Sequence, residues 1–271
     1  MREHLMFQVD AFSDRVFAGN PAAVMVLDTA LPDLLMQAIA AENNLAETAF
    51  VLPEGASWSI RWFTPTQEAA FCGHATLAAA HVLASEYGRG EDFRFRTGTV
   101  GELRASRNGP ARYTLDLPLL EPAPLDEIPV ALPAIFPKGW KAVFRNFENL
   151  FVELGGPDDV AGFRPDMAMI ARLAPFGLGI TAAGGATHDG DPVDFVSRYF
   201  APAAGIPEDP VTGSAHTTLA PYWARRLGRT DMSAFQASRR GGLVGCQIAG
   251  DRVLLSGRAA TFFKAGIRLP G

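Results

Sequence analysis

The sequence predicts an α+β protein made of two similar lobes. Three observations predict it: strand-like segments outnumber helical ones, a proline-rich stretch divides the chain, and one pattern of elements occurs twice. The chain has 271 residues, of which 48% are apolar and 20% charged, with a formal net charge of −5. This balance is typical of a folded globular protein, and the length provides for one or two full hydrophobic cores.

Two helices interrupt the strand-like segments of the first half. One is predicted near Pro32–Asn43, because a first helical turn tolerates proline. Its apolar stripe is expected to contain Leu34, Leu35, Ala38 and Ile39. The other, from about Ala75 to Tyr87, is rich in alanine and is expected to stop at Gly88, a typical C-cap residue. Strands are predicted at Phe7–Phe12, Ala23–Leu27, Ala49–Leu52, Ile60–Phe63, Phe93–Arg96, Glu102–Ala105 and Tyr113–Leu117.

Proline marks the boundary between the two predicted lobes. Six of the 20 prolines lie from Pro118 to Pro137, and proline's fixed φ and missing N–H exclude regular helix and central strand there. The predicted N-terminal lobe comprises residues 1–118 plus about 258–271, and the C-terminal lobe comprises 119–257. Beyond the boundary, a strand is predicted near Leu150–Leu154 and a helix near Asp166–Leu173.

An internal repeat is the most informative feature. Arg61–Pro65 has a counterpart in Arg198–Pro202, and downstream Gly73–Thr76 and Gly213–His216 each open a helix. The glycine follows the arginine by 12 residues in the first copy (61 to 73) and by 15 in the second (198 to 213). A glycine-bearing strand pair follows each helix. The long period indicates domain duplication and not a solenoid.

Each repeat places a glycine-led loop against the start of a helix. The first N–H groups of a helix lack internal partners, and the helix dipole attracts anions to this end, carboxylates included. Gly73 and Gly213 allow close approach of a ligand to the backbone. If a pseudo-twofold axis relates the lobes, both helix starts face one cleft and trap a small carboxylic acid. The alternative is that the loops are only strand-to-helix turns, capped by Thr76 and Ser214.

Titratable side chains near these loops are candidates for proton transfer. Glu47 is the only carboxylate among the largely apolar residues 45–52, where desolvation would raise its pKa toward neutrality, as suits a general acid/base. His74 is expected to have a lowered pKa, because the helix dipole disfavours the imidazolium ion. Asp209 and His216 flank the second helix start. Each has a structural alternative: a solvent-facing Glu47, packed or surface histidines, and a helix-capping Asp209.

The remaining features argue against other classes of protein. The slightly negative net charge gives no sign of a basic surface for the phosphates of a nucleic acid. No apolar run approaches the ~20 residues that span a bilayer, and the first residues lack a secretory signal, so a cytoplasmic protein with no membrane partner is expected. Cys72 and Cys246 are too few for a disulfide framework or a thiolate zinc site. Dinucleotide, phosphate-loop, metalloprotease and hydrolase motifs are missing, which favours cofactor-free proton chemistry.

Longer motifs combine these residues into a family pattern. They are Val9–Phe12, Phe17–Val24, Asn43–Phe50, Arg61–Leu77 and Gly205–His216. With them the sequence resembles the PhzF-like family of phenazine-biosynthesis isomerases, which shares its duplicated architecture with diaminopimelate epimerase. The resemblance covers essentially the whole chain, and the two glycine-loop motifs together are its most specific part.

The resemblance implies two lobes, each a curved, mostly antiparallel sheet around a central helix, together with a homodimer and no metal or organic cofactor. In phenazine-making members the substrate is trans-2,3-dihydro-3-hydroxyanthranilate. The residue matching Glu47 takes a proton from the ring carbon that bears the hydroxyl. Residues matching His74 and Asp209 position the substrate and assist proton transfer. Those matching Gly73, Gly213 and Ser214 hold it through backbone amides and a hydroxyl.

The sequence departs from the epimerase relatives at one of two thiols. Those enzymes use a pair of thiols that face each other across the substrate. Here Cys72 occupies the first thiol position, but Pro210 occupies the second, and Cys246 lies in the following hairpin. A two-thiol racemase is therefore disfavoured, and Cys72 is expected to be a small buried side chain.

These observations lead to one principal hypothesis and two alternatives. The principal hypothesis is a cofactor-independent isomerase that moves a proton within a small cyclic or unsaturated carboxylic acid. Glu47 is the general acid/base, while His74, Asp209 and the two glycine loops bind and polarise the substrate. The first alternative is an amino-acid epimerase or racemase that uses Cys72 with a non-thiol partner. The second is a catalytically silent protein that binds small acids.

Overall fold

The computed structural model describes residues 2–269, which form two compact units. Unit 1 extends to Leu117 and resumes at Ser256, and unit 2 comprises Pro118–Leu255. Strands dominate both units, which confirms the predicted α+β class. Among the described residues no helix is long and apolar enough to cross a bilayer.

Unit 1 is a sheet with two helices. Its elements are β1 (Arg2–Ala11), β2 (Asn20–Val26), α1 (Asp33–Asn43), β3 (Glu47–Glu54), β4 (Ser57–Phe63), β5 (Glu68–Ala69), α2 (Gly73–Ser85), β6 (Asp92–Arg96), β7 (Glu102–Gly109) and β8 (Arg112–Pro118). The strand order is β1-β2-β3-β4-β6-β7-β8, with β5 beside β4. The last strand of the chain, β16 (Arg252–Leu269), pairs antiparallel with β1.

Unit 2 repeats this plan with shorter helices in its first part. Its elements are α3 (Leu132–Ile135), β9 (Ala142–Arg145), β10 (Asn149–Glu153), α4 (Pro157–Ala161), α5 (Met167–Ala171), β11 (Gly177–Ala183), β12 (Phe195–Ala201), a 3-10 turn (Pro202–Ala204), β13 (Ile206–Asp209), α6 (Gly213–Leu227), β14 (Asp231–Gln236) and β15 (Gly242–Ala249). The strand order is β9-β10-β11-β12-β14-β15, with β13 beside β12.

Strand pairing is the same in both units. The pairs β2–β3 and β10–β11 are parallel, as are β4–β6 and β12–β14. The short strands β5 and β13 pair antiparallel with β4 and β12. Because parallel neighbours need a crossover connection, the glycine-led helices α2 and α6 lie at equivalent points of the two units. The predicted duplication is therefore confirmed at the level of topology.

Helix α2 is the central helix of unit 1. Every residue from Gly73 to Ala84 is buried, and the helix contacts β1, β2, β3 and β7. A helix that is apolar on all sides is stable only when it is covered on all sides. The alanines at five of its positions let the strands approach closely. This packing buries the start of α2, where two of the predicted site residues lie.

The structure corrects three predictions of local structure. In α1, Leu34 is 87% exposed and Ala38 is also exposed. Ile39 is buried and Leu35 packs against the core as predicted, but Met36 and Ala40 take the places of Leu34 and Ala38 on the buried face, because the face is set by packing on the sheet. Helix α2 begins two residues before the predicted start and ends at Ser85, so Gly88 lies beyond its C-cap. Within the proline-rich stretch α3 forms one helical turn, since Pro133 lies in the first turn, where proline is tolerated.

Candidate active site

The first group of candidate residues lies in unit 1, where the starts of β2, β3 and α2 position them. Asn20 begins β2 and Glu47 begins β3, and the parallel register pairs Ala22 with Glu47. Cys72 is the N-cap of α2, and His74 lies in its first turn. We call Asn20, Glu47, Cys72 and His74 the Glu47 cluster. Because parallel strands start at the same edge of a sheet, residues distant in sequence meet there.

Glu47 and His74 form a buried pair. The His74 Nε2 atom lies 3.2 Å from the Glu47 Oε2 atom, and the two residues are 4% and 9% exposed. Burial lowers the pKa of His74 to about 3, so the imidazole is neutral near pH 7. The lowered pKa was predicted from the helix dipole, and the structure adds desolvation by burial as its cause. The alternative of a solvent-facing Glu47 is wrong.

Asn20 sets the tautomer of His74. The Asn20 side-chain nitrogen lies 3.1 Å from His74 Nδ1. An amide NH2 group can only donate, so Nδ1 accepts and the proton resides on Nε2. The protonated Nε2 atom then lies 3.2 Å from the Glu47 Oε2 atom. The sequence analysis assigned no role to Asn20, and its only signal was a place in the Phe17–Val24 segment of the family pattern.

Cys72 lies beside the same imidazole. Its Sγ atom is 3.4 Å from His74 Nδ1 and 4.0 Å from Nε2, and the residue is buried. This agrees with the prediction of a small buried side chain. As N-cap of α2 it makes no side-chain capping hydrogen bond. Thr76, the predicted cap, instead donates to the Cys72 carbonyl at 2.6 Å.

The second group of candidate residues lies in unit 2, where β13 ends at Asp209. The Asp209 carboxylate accepts a hydrogen bond from Thr212 Oγ1 at 2.5 Å. Gln236 donates to the Asp209 carbonyl and accepts from the Thr212 N–H, both at 2.8 Å. All three residues, which we call the Asp209 cluster, are buried. The loop before α6 is thus held by a fully buried amide that the sequence analysis did not single out.

Gly213 and Ser214 form the first turn of α6. Its N-cap is Thr212, which makes no side-chain capping bond. The alternative in which Ser214 caps this helix is therefore wrong. Gly213 is buried and Ser214 is half-buried. That the backbone N–H groups of this helix start bind an anion stays a prediction.

His216 has a structural role in the same turn. Its Nδ1–H donates to the Thr212 carbonyl at 2.8 Å, and Ser197 Oγ lies 3.4 Å from Nε2. The ring is fully buried, and burial lowers the pKa of His216 to about 4. The open question of the sequence analysis is answered in favour of a packed histidine that supports the N-cap of α6.

The repeated arginine holds the loop that precedes each helix. Arg61 forms a bidentate pair with Glu68 at 2.7 Å, which joins β4 to β5. Arg198 pairs with Glu208 at 2.7 and 3.0 Å, which joins β12 to β13. Each guanidinium also lies about 5 Å from the ring of the phenylalanine two residues later. Both copies of the repeat therefore use the same arginine–glutamate pair to anchor the short strand.

These two ion pairs are expected to differ in strength because their burial differs. The Arg198 side chain is 10% exposed and that of Arg61 is 31% exposed. We expect Glu208→Ala to lower the free energy of unfolding by about 3–5 kcal/mol, because it leaves a buried charge unpaired. Glu68→Ala should cost about 1 kcal/mol or less. Urea denaturation of both variants measures this, and equal losses would contradict the argument.

Buried histidines predict a loss of stability in mild acid. Burial lowers the pKa of His74 to about 3, and of His81 and His216 to about 4. The unfolded chain, with a histidine pKa of ~6.5, binds more protons than the folded chain as pH falls below that value. The free energy of unfolding should therefore drop by up to about 2 kcal/mol per histidine by about pH 5.

Urea denaturation near pH 7 and pH 5 tests this prediction, with His81→Gln as the comparison. Part of the acid-induced loss should disappear in that variant, because one buried imidazole is removed. If the free energy of unfolding falls between pH 7 and pH 5 by the same amount in His81→Gln as in the wild-type protein, burial of this ring does not control the effect.

Comparisons with known proteins place the chain in a family. The family of phenazine biosynthesis-like proteins, PhzC-PhzF, matches residues 9–265. The chain belongs to this family. An uncharacterized isomerase of Pseudomonas aeruginosa is 47% identical over 268 residues and is covered over 97% of each chain. A crystal structure of a PhzF-family protein of Enterococcus faecalis is 41% identical, with a TM-score of 0.92 over 99% of this chain and 100% of that one.

The wider comparison agrees with the epimerase-like fold that the resemblance implied. A predicted epimerase of Pseudomonas aeruginosa has a TM-score of 0.69 over 98% of this chain and 100% of that one, at 22% identity. At this identity the likeness concerns the fold alone. Three relatives, at 38–47% identity, carry the name isomerase. This PhzF-family chain is accordingly an isomerase.

Proposed function

We propose that this PhzF-family protein is a cofactor-independent isomerase that moves a proton within a small cyclic or unsaturated carboxylic acid. The observation that supports it most is the buried contact between Glu47 and a neutral His74, in a tautomer set by Asn20. A carboxylate and a neutral imidazole donor, both withdrawn from water, are a suitable combination for proton transfer at carbon.

Glu47 is the proposed general acid/base. It takes a proton from a carbon of the substrate and returns one elsewhere on the conjugated system, so no net change in charge or redox state occurs. The Nε2–H group of His74 lies 3.2 Å from the carboxylate, close enough to stabilise its charge electrostatically. The N–H groups of Gly73 and His74, at the start of α2, are available for the charge that accumulates on the substrate.

Asp209, Gly213 and Ser214 are proposed to bind the substrate. The support is local to unit 2: a helix start without a side-chain cap, a buried glycine that admits a ligand to the backbone, and a half-buried hydroxyl. The hydrogen bond from Thr212 fixes the Asp209 carboxylate beside that helix start. That both helix starts bind one acid stays a prediction.

Deuterium exchange tests the proposed reaction. The wild-type protein is incubated in D2O with small cyclic and unsaturated acids, including trans-2,3-dihydro-3-hydroxyanthranilate, and products are followed by NMR. We expect an isomerised product that carries solvent deuterium at a carbon position. Tight binding of such acids with no exchange and no new product would support the silent acid-binding protein instead.

The epimerase alternative is retained because Cys72 contacts the same histidine, with Sγ 3.4 Å from Nδ1. A thiolate in this place could remove an α-proton from an amino acid. Two variants separate the reactions. Loss of all activity in Cys72→Ala with Glu47→Gln unaffected would favour the epimerase, whereas the reverse pattern supports the isomerase.

We also propose a cytoplasmic homodimer that acts on a small molecule. The family resemblance is the support for the homodimer and the small molecule, and the cytoplasmic location carries over the expectation from the sequence. Light scattering of the purified protein measures the mass in solution, and a mass close to one chain, 29.0 kDa, would contradict the dimer.

A further inference from the structure

The Glu47 cluster contains a set of metal-ligating atoms. Glu47, Cys72 and His74 each offer one donor atom, and the three atoms lie within 4.8 Å of one another. All three residues are buried and belong to unit 1. A carboxylate oxygen, a thiolate sulfur and an imidazole nitrogen are the three ligand types that zinc uses in proteins. The sequence analysis considered only thiolate pairs, so it did not find this combination.

The distances are close to those of a tetrahedral zinc site. His74 Nε2 is 3.2 Å from Glu47 Oε2 and 4.0 Å from Cys72 Sγ. Zinc bonds of about 2.0–2.3 Å place tetrahedral ligand atoms about 3.3–3.6 Å apart. The two distances to His74 Nε2 are therefore within a few tenths of an ångström of these values, and the Glu47 and Cys72 atoms lie within 4.8 Å of each other. The fourth position remains for water, as in zinc sites with three protein ligands.

Asn20 can support the metal-bound form of His74. When Nε2 binds a metal, the ring proton resides on Nδ1 and needs an acceptor. The Asn20 amide faces Nδ1 at 3.1 Å, and a half-turn about its last bond presents the oxygen in place of the NH2 group. Such an acceptor on the second nitrogen is the usual partner of a metal-bound histidine.

We propose that Glu47, Cys72 and His74 bind a thiophilic divalent cation, zinc in particular, and that this ion inhibits the enzyme. Binding forms three coordinate bonds, releases the thiol proton of Cys72 to solvent and moves the imidazole proton from Nε2 to Nδ1. The ion then coordinates the Glu47 carboxylate, which is proposed to transfer protons, so the carboxylate is no longer available to the substrate. Metal binding is independent of the proposed function, whereas inhibition rests on it.

Cobalt provides the direct test. The chelator-treated protein is titrated with Co²⁺ alone, and absorption is followed in the near-ultraviolet and visible regions. We expect a thiolate-to-cobalt charge-transfer band that saturates at one ion per chain and disappears when Zn²⁺ is added. Cys72→Ala should lose the band, and Glu47→Gln should weaken Co²⁺ binding by more than about tenfold.

Cys246→Ala is the matched control. Cys246 is equally buried but lies in unit 2, and burial raises the pKa of its thiol. This variant should keep the full band. A wild-type protein without the band, or a band that survives in Cys72→Ala, would overturn the proposal. Circular dichroism verifies that each variant is folded.

Inhibition is measured separately. If the wild-type protein catalyses deuterium incorporation, Zn²⁺ should suppress it and a chelator should restore it. Full activity with the site saturated, as judged from the cobalt band, would refute inhibition while leaving metal binding intact. If no substrate is turned over, the spectroscopic titration still decides whether the metal site exists.

Discussion

Glu47→Gln is expected to reduce proton transfer by at least about 10³-fold. Glutamine has nearly the same shape and can occupy the same place beside His74 Nε2, but its amide cannot accept the substrate proton. Turnover and deuterium incorporation should therefore fall together, whereas substrate binding should change little. NMR of the substrate in D2O measures the exchange, and calorimetry measures binding.

Glu42→Gln is the control for this variant. Glu42 is an exposed residue of α1 and belongs to neither cluster. It should retain wild-type turnover, because the same change in charge occurs on an exposed side chain outside both clusters. If Glu47→Gln keeps full turnover, Glu47 is not the acid/base and the mechanism is wrong.

Removal of the imidazole is expected to have the next largest effect. His74→Phe keeps an aromatic ring of similar size but deletes the polar N–H group that lies 3.2 Å from the Glu47 carboxylate, and we expect about a 10²-fold loss of kcat. His74→Gln should recover part of the loss, because its amide NH2 group can donate to the same carboxylate. Steady-state rates of the two variants provide the comparison, and equal losses would argue for a packing role alone.

The same histidine makes a prediction about pH. Because burial lowers the pKa of His74 to about 3, this ring stays neutral from about pH 5 to pH 8. Any rise or fall of kcat with pH over this range should therefore be the same in the wild-type protein and in His74→Gln. If kcat changes with pH in the wild-type protein but not in His74→Gln, then His74 titrates during catalysis.

The local sequence predicted the elements that carry the site. Glycine at the start of a helix, prolines between the units and the repeated arginine are signals read within a few residues. They located the starts of α2 and α6 to within a few residues. The apolar neighbours of Glu47 also predicted its burial, because a strand start among such residues is covered in a sheet with two packed faces.

Other features depended on partners that are remote in sequence. The Asn20 contact to His74 joins residues 54 positions apart, and the Arg198 pair with Glu208 depends on the turn that returns β13 to β12. The predicted stripe of α1 was wrong at Leu34 and Ala38 for a related reason. Helical periodicity identifies an apolar face, but the sheet decides which of two overlapping faces is covered.

By itself the sequence determined the α+β class, the duplicated plan and the residue types at the two helix starts, because these follow from short-range periodicity and backbone preference. Only the tertiary structure decided the tautomer of His74, the cause of its low pKa and the gathering of Glu47, Cys72 and His74 around one point. Desolvation and hydrogen bonding depend on which atoms surround a group, and parallel pairing of β2 with β3 brings those atoms together.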